Sequence, residues 1–429
     1  MTGHTMIATK LEVSDFKNIF RRFTDLISPR VWQYTVKNVR QVIRGNRYAE
    51  DFLMEDNSLA FALDDLQRIW ERHGQFTLEL CRTPSALFAM AFVTQTISLV
   101  DAIPRQEGAR LIRRIIGALK NHPDDVRALQ LELATATHFL MSGLKISFPD
   151  TEGVERFDLL LSGAGKGDVE IECKFITRDK GKKIHRRNLH EFYKLAVPHI
   201  DGYFAKSPSN VIVDIVVKDR FPSSYKDKLA IADSVKAALN GKNNVSSGIV
   251  SQIKVIDHPL DEIDALSSRE SNREAVERIT GIVNENLMIR ENRLGRKAVL
   301  LIRSEQKDTI LESIYETLSE ASKKQLTATR PGLLVAMLHG IDIDGLVRIA
   351  SHEEAQVSGT NTLQVIASRL LRQKQHDHLV SVWFLSESQI GEREPGLTSS
   401  SGATYYFKNE ESPLWGEGYD FRPSPLTKV

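Results

Sequence analysis

From about residue 13 to residue 120, apolar side chains return every three or four positions. Phe16, Ile19, Phe20, Phe23 and Ile27 form one stripe, and Leu59, Leu63, Leu66, Ile69 and Trp70 form another. A period near 3.6 predicts amphipathic helices with a buried face, and polar breaks such as 44–47 separate them. Residues 1–120 are therefore read as a helical N-terminal domain whose leucines and aromatics are core. The run Asn121-His122-Pro123-Asp124-Asp125 is a turn and a helix start, with acids at the positive end of the helix that follows. That helix is expected over 125–141, with Gly143 as its stop.

Beyond Gly143 the period changes. Residues 144–148 alternate, 149–153 read as a turn, and 157–161 and 169–176 read as strands joined by the glycine-rich loop Ser162-Gly163-Ala164-Gly165-Lys166-Gly167-Asp168. A basic stretch at 178–187 leads into a helix to about 200. A β-branched run at 210–218, a helix at 225–239 and a strand at 249–256 follow. This order implies an α/β fold with a mixed sheet, and 121–260 is read as one unit. The charged segment 261–294 is expected to be helical and to lead into a smaller C-terminal α/β region, 261–385. There strands at 298–302, 333–338 and 380–385 alternate with helices at 309–326 and 362–372. Residues 386–429, rich in Ser, Gly, Pro and Glu, are expected to be an extended tail.

Composition narrows the classes. The 429 residues carry 57 Lys and Arg against 56 Asp and Glu, so any basic surface must be local. Two cysteines, Cys81 and Cys173, exclude a disulfide-stapled scaffold or a multi-cysteine zinc cluster. The first residues show no basic segment followed by an apolar core, and the apolar stretch 85–93 is interrupted by Thr94, Gln95 and Thr96, short of the ~18 residues a spanning helix needs. A cytoplasmic protein without membrane partners is the expectation.

The chemistry concentrates in Phe157-Asp158-Leu159-Leu160-Leu161 and Val169-Glu170-Ile171-Glu172-Cys173-Lys174-Phe175. Strand alternation puts Glu170, Glu172 and Lys174 on one face and Val169, Ile171, Cys173 and Phe175 on the other, the core face. A hairpin closing symmetrically about Gly165 sets position 158 opposite 172, with Cβ atoms about 5 Å apart. Two carboxylates so close repel unless a cation lies between them, and hard oxygen ligands suit Mg²⁺ or Mn²⁺. Lys174, two residues on, can orient or help deprotonate an attacking water and balance phosphate charge. Glu170 shares that face and is read as a solvated edge charge rather than a further ligand. Cys173 reads as a small buried residue, and the glycine loop lacks the order of a phosphate loop.

At these residues the sequence resembles the PD-(D/E)xK nuclease superfamily, whose pattern is an aspartate on one strand, a hairpin, then Glu-x-Lys, often after a helix carrying a glutamate. The resemblance covers about 125–218. It implies a restriction-endonuclease-like core, Asp158 and Glu172 as ligands of Mg²⁺ or Mn²⁺, Lys174 as catalytic lysine, and Glu132 as the helical glutamate. Phe157 stands where the pattern has proline, while a literal Pro149-Asp150 occurs eight residues earlier. Asp150 sits in turn chemistry and Asp158 in an apolar strand, where a charge needs a reason, so Asp158 is preferred.

Between Arg178 and Arg187, six basic residues (Arg178, Lys180, Lys182, Lys183, Arg186 and Arg187) face one acid, Asp179. Directly after the candidate catalytic strand, they and Lys194 on the next helix are candidate phosphate contacts. The reading is an Mg²⁺-dependent endonuclease acting on DNA, RNA not being excluded, with a homodimer as the expected assembly and, by resemblance, prokaryotic defence against foreign DNA as its role. The alternatives are an inactive nucleic-acid-binding or protein-interaction module on the same fold, or a repair or recombination nuclease.

Overall fold

The computed structural model describes residues 11–77, 79–121, 123–153, 155–165, 167–205, 209–241, 248–258, 286–291, 296–340, 362–386, 389–394, 397–401, 404–416 and 419. After a two-residue strand β1 (Leu11–Glu12), the chain runs through α1 (Val13–Leu26), α2 (Arg30–Gly45), α3 (Glu50–Asp56), α4 (Ser58–His73), α5 (Pro84–Ala102), α6 (Arg105–Asn121) and α7 (Pro123–Met141). Then come β2 (Lys145–Ser147), the one-turn helix α8 (Pro149–Glu152), β3 (Leu159–Ser162) and β4 (Val169–Ile176). Next are α9 (Arg186–Phe204), β5 (Asn210–Val217), α10 (Tyr225–Leu239), β6 (Val250–His258), β7 (Leu287–Glu291) and β8 (Lys297–Ser304). The last described elements are α11 (Ile310–Lys324), β9 (Gly332–Leu338), α12 (Thr362–Leu371), β10 (Leu379–Leu385), β11 (Gln389–Glu394), β12 (Leu397–Ser401) and β13 (Thr404–Lys408).

The protein is a mixed α/β chain in two compact units. One takes the described residues of Met1–Arg40, Met54–Lys180 and Leu311–Val429, and the other takes those of Gln41–Leu53 and Gly181–Ile310. The first unit holds a six-stranded sheet in the order β13-β10-β9-β4-β3-β2, antiparallel through β2, β3 and β4, parallel from β4 to β9 to β10, and antiparallel again at β13. A small sheet, β1-β12-β11, belongs to the same unit. The second unit holds a four-stranded sheet, β6-β5-β8-β7, with parallel β5 and β8 at its centre.

Local chemistry accounts for the elements. Thr83 caps α5, its hydroxyl accepting from the Ala86 N–H at 3.2 Å, with Pro84 in the first turn. Of the described helices, α5 has the length and apolarity of a membrane span, but 61% of that window is buried, packed among Phe23, Trp32 and the other helices of the core. The residues that interrupt its apolar stretch, Thr94, Gln95 and Thr96, lie within the helix. Thr94 and Thr96 turn their hydroxyls back on the Met90 and Phe92 carbonyls, at 2.8 and 2.9 Å. Ser224 caps α10, and every residue of β5 is buried, as its β-branched run requires.

The boundaries differ from the expected ones. The helices of 1–120 are not a separate domain, because their apolar faces share one core with α7 and with Leu159, Leu161, Val169, Ile171, Leu333, Val335 and Trp383 of the six-stranded sheet. Nor is 121–260 a continuous unit. The second unit is inserted after β4, and the first sheet is finished by β9, β10 and β13 from far down the chain. A hydrophobic pattern identifies a strand but not its partner, so the inserted strands read as neighbours of β4. Within the expected joining helix, 259–285 lie outside the described residues, while Leu287–Glu291 is a strand paired with β8. The expected tail contains three strands, and Tyr419 is buried in the core.

Candidate active site

The hairpin of β3 and β4 has the register expected of closure about Gly165: Leu159 faces Ile171, Leu160 faces Glu170 and Leu161 faces Val169. Gly163 and Gly165 take the positive φ angles (+90° and +142°) that the reversal demands. Asp158 stands one residue before β3, and its Oδ2 accepts the Cys173 backbone N–H at 2.8 Å, which brings it beside Glu172. Lys174 Nζ lies 2.6 Å from Glu172 Oε1. Glu172 is wholly buried, and neither of its carboxylate oxygens has a partner in good hydrogen-bond geometry.

Both faces of β4 are covered, which the alternation did not reveal. The strand is central, parallel to β9 on one edge and antiparallel to β3 on the other, and Glu170 and Glu172 are as buried as Ile171. Glu170 is neither a solvated charge nor a ligand. Its carboxylate accepts from the Thr327 N–H at 2.7 Å and the Thr327 hydroxyl at 2.5 Å, and Arg330 Nη1 stands 3.2 Å away. Cys173 is buried as expected, and burial pushes its thiol well above the usual range, away from nucleophilic use.

Glu132 is brought to the site. On α7 its side chain is almost fully buried and is held by Arg114 of α6, with Nη1 2.7 Å from Oε2 and Nη2 donating to Oε1 at 2.8 Å. The same guanidinium lies 3.0 Å from Asp150 Oδ2 and 4.0 Å from Asp158 Oδ1. Asp150, set aside as turn chemistry, therefore belongs to the cluster from the first turn of α8. Arg114 carried no signal in the sequence, where Arg113-Arg114 reads as the solvated side of an amphipathic helix.

Crowded burial sets the protonation of the cluster. Burial, then the Asp158 charge, pushes Glu172 up to about 8, against the pull of Lys174. Asp158 is raised by burial, opposed by the Cys173 N–H, Lys174 and Arg114. Glu132 is raised well above the carboxylate range by burial and by Asp158, with Arg114 opposing. Among the described residues no three His, Cys, Asp or Glu side chains gather in ligand geometry, since Glu132, Asp150 and Asp158 converge on Arg114. The pair Asp158 and Glu172 remains. Two hard oxygen donors, one with buried oxygens lacking partners in good hydrogen-bond geometry, are of the chemical type that suits Mg²⁺ or Mn²⁺ with water completing the shell.

Lys174 opens onto a shallow depression that is also lined by Arg156, Thr317, Glu320, Lys324 and Gln325. Arg156 and Lys324 are cations the sequence reading did not single out. The expected phosphate contacts are less uniform than their charge suggested. Arg178 and Lys180 of the first unit are exposed, as are Arg187 and Lys194 of the second. Lys183 is committed to Asp219 at 2.8 Å, Arg186 lies over the Phe52 ring, and Lys182 is half-buried.

Comparison with protein-family models, with characterised proteins and with solved structures finds no match to this chain.

Proposed function

We propose that this chain is a divalent-metal-dependent nuclease of the PD-(D/E)xK kind, hydrolysing phosphodiester bonds of DNA. One observation carries the reading. The hairpin register brings Asp158 to Glu172 in a buried setting, with the Lys174 ammonium 2.6 Å from the second carboxylate. A buried carboxylate such as Glu172, whose oxygens lack partners in good hydrogen-bond geometry, is costly for the fold, and a site that binds a cation gives it a use. The order helix with glutamate, aspartate at the start of a strand, then Glu-x-Lys strand supports the same assignment.

Asp158 and Glu172 would hold the ion, Mg²⁺ or Mn²⁺. When bound, it supplies Lewis acidity at the scissile phosphate and lowers the pKa of a water. Lys174 spans the interior and the depression, so its ammonium can hold an attacking water or a non-bridging phosphate oxygen while Glu172 fixes its direction. Arg156 on the rim offers a contact to a flanking phosphate, which positions a strand without reading its sequence, while Lys324 is paired with Glu320.

The test is cleavage of supercoiled and linear DNA, with single-stranded RNA in parallel, in Mg²⁺ or Mn²⁺. Asp158→Asn and Lys174→Met should each lower the cleavage rate by about 100-fold or more while circular dichroism is unchanged. Wild type that binds DNA yet cuts neither substrate with either metal would assign the chain to the binding modules instead.

A further inference from the structure

We propose that the site takes one divalent cation per chain, because the Arg114 guanidinium already fills the place of a second. The inference rests on the nuclease reading of Asp158 and Glu172 and goes beyond it to the composition of the site. Glu132, Asp150 and Asp158 come from three separate elements, two helices and the approach to β3, and all face the same guanidinium at 2.7, 3.0 and 4.0 Å. A planar fork that grips Glu132 with both nitrogens and reaches two more carboxylates is a fixed cation in the centre of an acidic ring.

Charge balance points the same way. The cluster holds four carboxylates, Glu132, Asp150, Asp158 and Glu172, and two basic side chains, Arg114 and Lys174. Binding of a cation favours the ionised carboxylates, and with all four ionised two negative charges would be left uncompensated by Arg114 and Lys174 in a site largely removed from water. One divalent ion at Asp158 and Glu172 cancels them. A second would leave an excess of two positive charges, or, by expelling Arg114, an excess of one and a buried Glu132 stripped of the guanidinium that holds it. Glu132 thereby becomes a partner of Arg114 rather than a metal ligand, and Arg114 acts as a positioning residue whose charge faces Asp158 Oδ1 from 4.0 Å.

The experiment titrates manganese(II) chloride into the full-length protein by calorimetry, with the electron paramagnetic resonance spectrum recorded at saturation. One ion per chain and a spectrum free of manganese–manganese coupling are expected. Asp158→Asn and Glu172→Gln should abolish binding, Glu132→Gln should retain one ion, and Arg114→Gln should admit a second that broadens the spectrum. Two coupled ions in wild type, one of them lost in Glu132→Gln, would overturn the proposal and leave the nuclease reading intact. A folded Arg114→Gln protein that still binds one ion would overturn the stand-in role. Manganese binding that ignores Asp158→Asn and Glu172→Gln would remove the reading beneath it. Should Arg114→Gln fail to fold, the wild-type count and the Glu132→Gln count decide between one ion and two.

Discussion

Glu170 and Glu172 are two residues apart on one strand, equally buried, and have different work. Glu170 has its donors supplied: the Thr327 N–H, the Thr327 hydroxyl and Arg330 hold it in place and tie the 327–330 loop to β4. Replacing it by glutamine keeps the shape but removes the charge and turns an amide N–H₂ towards groups that are themselves donors. Glu170→Gln should cost about 1–3 kcal/mol, read as a lower urea midpoint at unchanged slope, with metal binding retained. An unmoved midpoint would mean that the loop does not depend on this carboxylate. Strand alternation placed Glu170, Glu172 and Lys174 on one face, and the symmetry of the hairpin placed 158 against 172, so the acidic pair was legible. What separates a structural carboxylate from one lacking good hydrogen-bond partners is a donor 157 residues further along the chain, which no local pattern contains. Arg114 was hidden for the same reason, since its carboxylate partners lie 18 to 44 residues downstream.

At the scale of elements, α11 is joined to the start of β10 by a buried polar network. Ser319 Oγ lies 3.2 Å from His376 Nε2, Ser322 Oγ lies 2.9 Å from His376 Nδ1, and Ser322 Oγ also lies 3.1 Å from His378 Nε2. Both imidazoles are buried, and burial holds His376 down to about 4 and His378 below the usual histidine range. In the unfolded chain each titrates near the ordinary value of about 6.5. The unfolded state therefore binds more protons between about 6.5 and 4, and stability from these histidines is complete above about 6.5 and is lost as pH falls through that window. Chemical denaturation at pH 7, 6, 5 and 4.5 should show a fall that His376→Gln with His378→Gln makes shallower. An identical slope in the double variant would place the acid sensitivity elsewhere. The elements themselves were largely legible. Helix α10 spans the expected 225–239, and α11 and β10 lie within a residue or two of expectation. The strand at Leu287–Glu291 was missed because its few apolar residues follow a long charged segment, and pairing with β8 outweighed the local helical pattern.

Over the whole molecule, the sequence could not show how the strands divide among the sheets, and the inserted unit explains why. Entry and exit of that insertion meet: the Thr309 N–H donates to the Gly181 carbonyl at 2.9 Å, and a Cβ on Gly181 would lie 2.7 Å from Ile310 Cα. With its φ of +76°, Gly181 is confined to glycine both by conformation and by contact. An insertion whose ends touch leaves the host chain little to bridge, and each unit has its own buried cluster. Joining residues 180 and 311 through a short glycine-serine linker should therefore give a cooperatively folding protein that retains Arg114, Glu132, Asp150, Asp158, Glu172 and Lys174, and one manganese ion per chain. The segment Gln41–Leu53 would pay for the excision, because its partners go with the insert: Asn46 donates to the His190 carbonyl, Tyr48 lies under Arg290 and Phe52 stacks on His190. Hydrogen exchange should accelerate across 41–53 and stay slow in β3, β4 and β9. Loss of slow exchange in β4 would show that the six-stranded sheet depends on the insertion for its own stability, and that the two units fold as one.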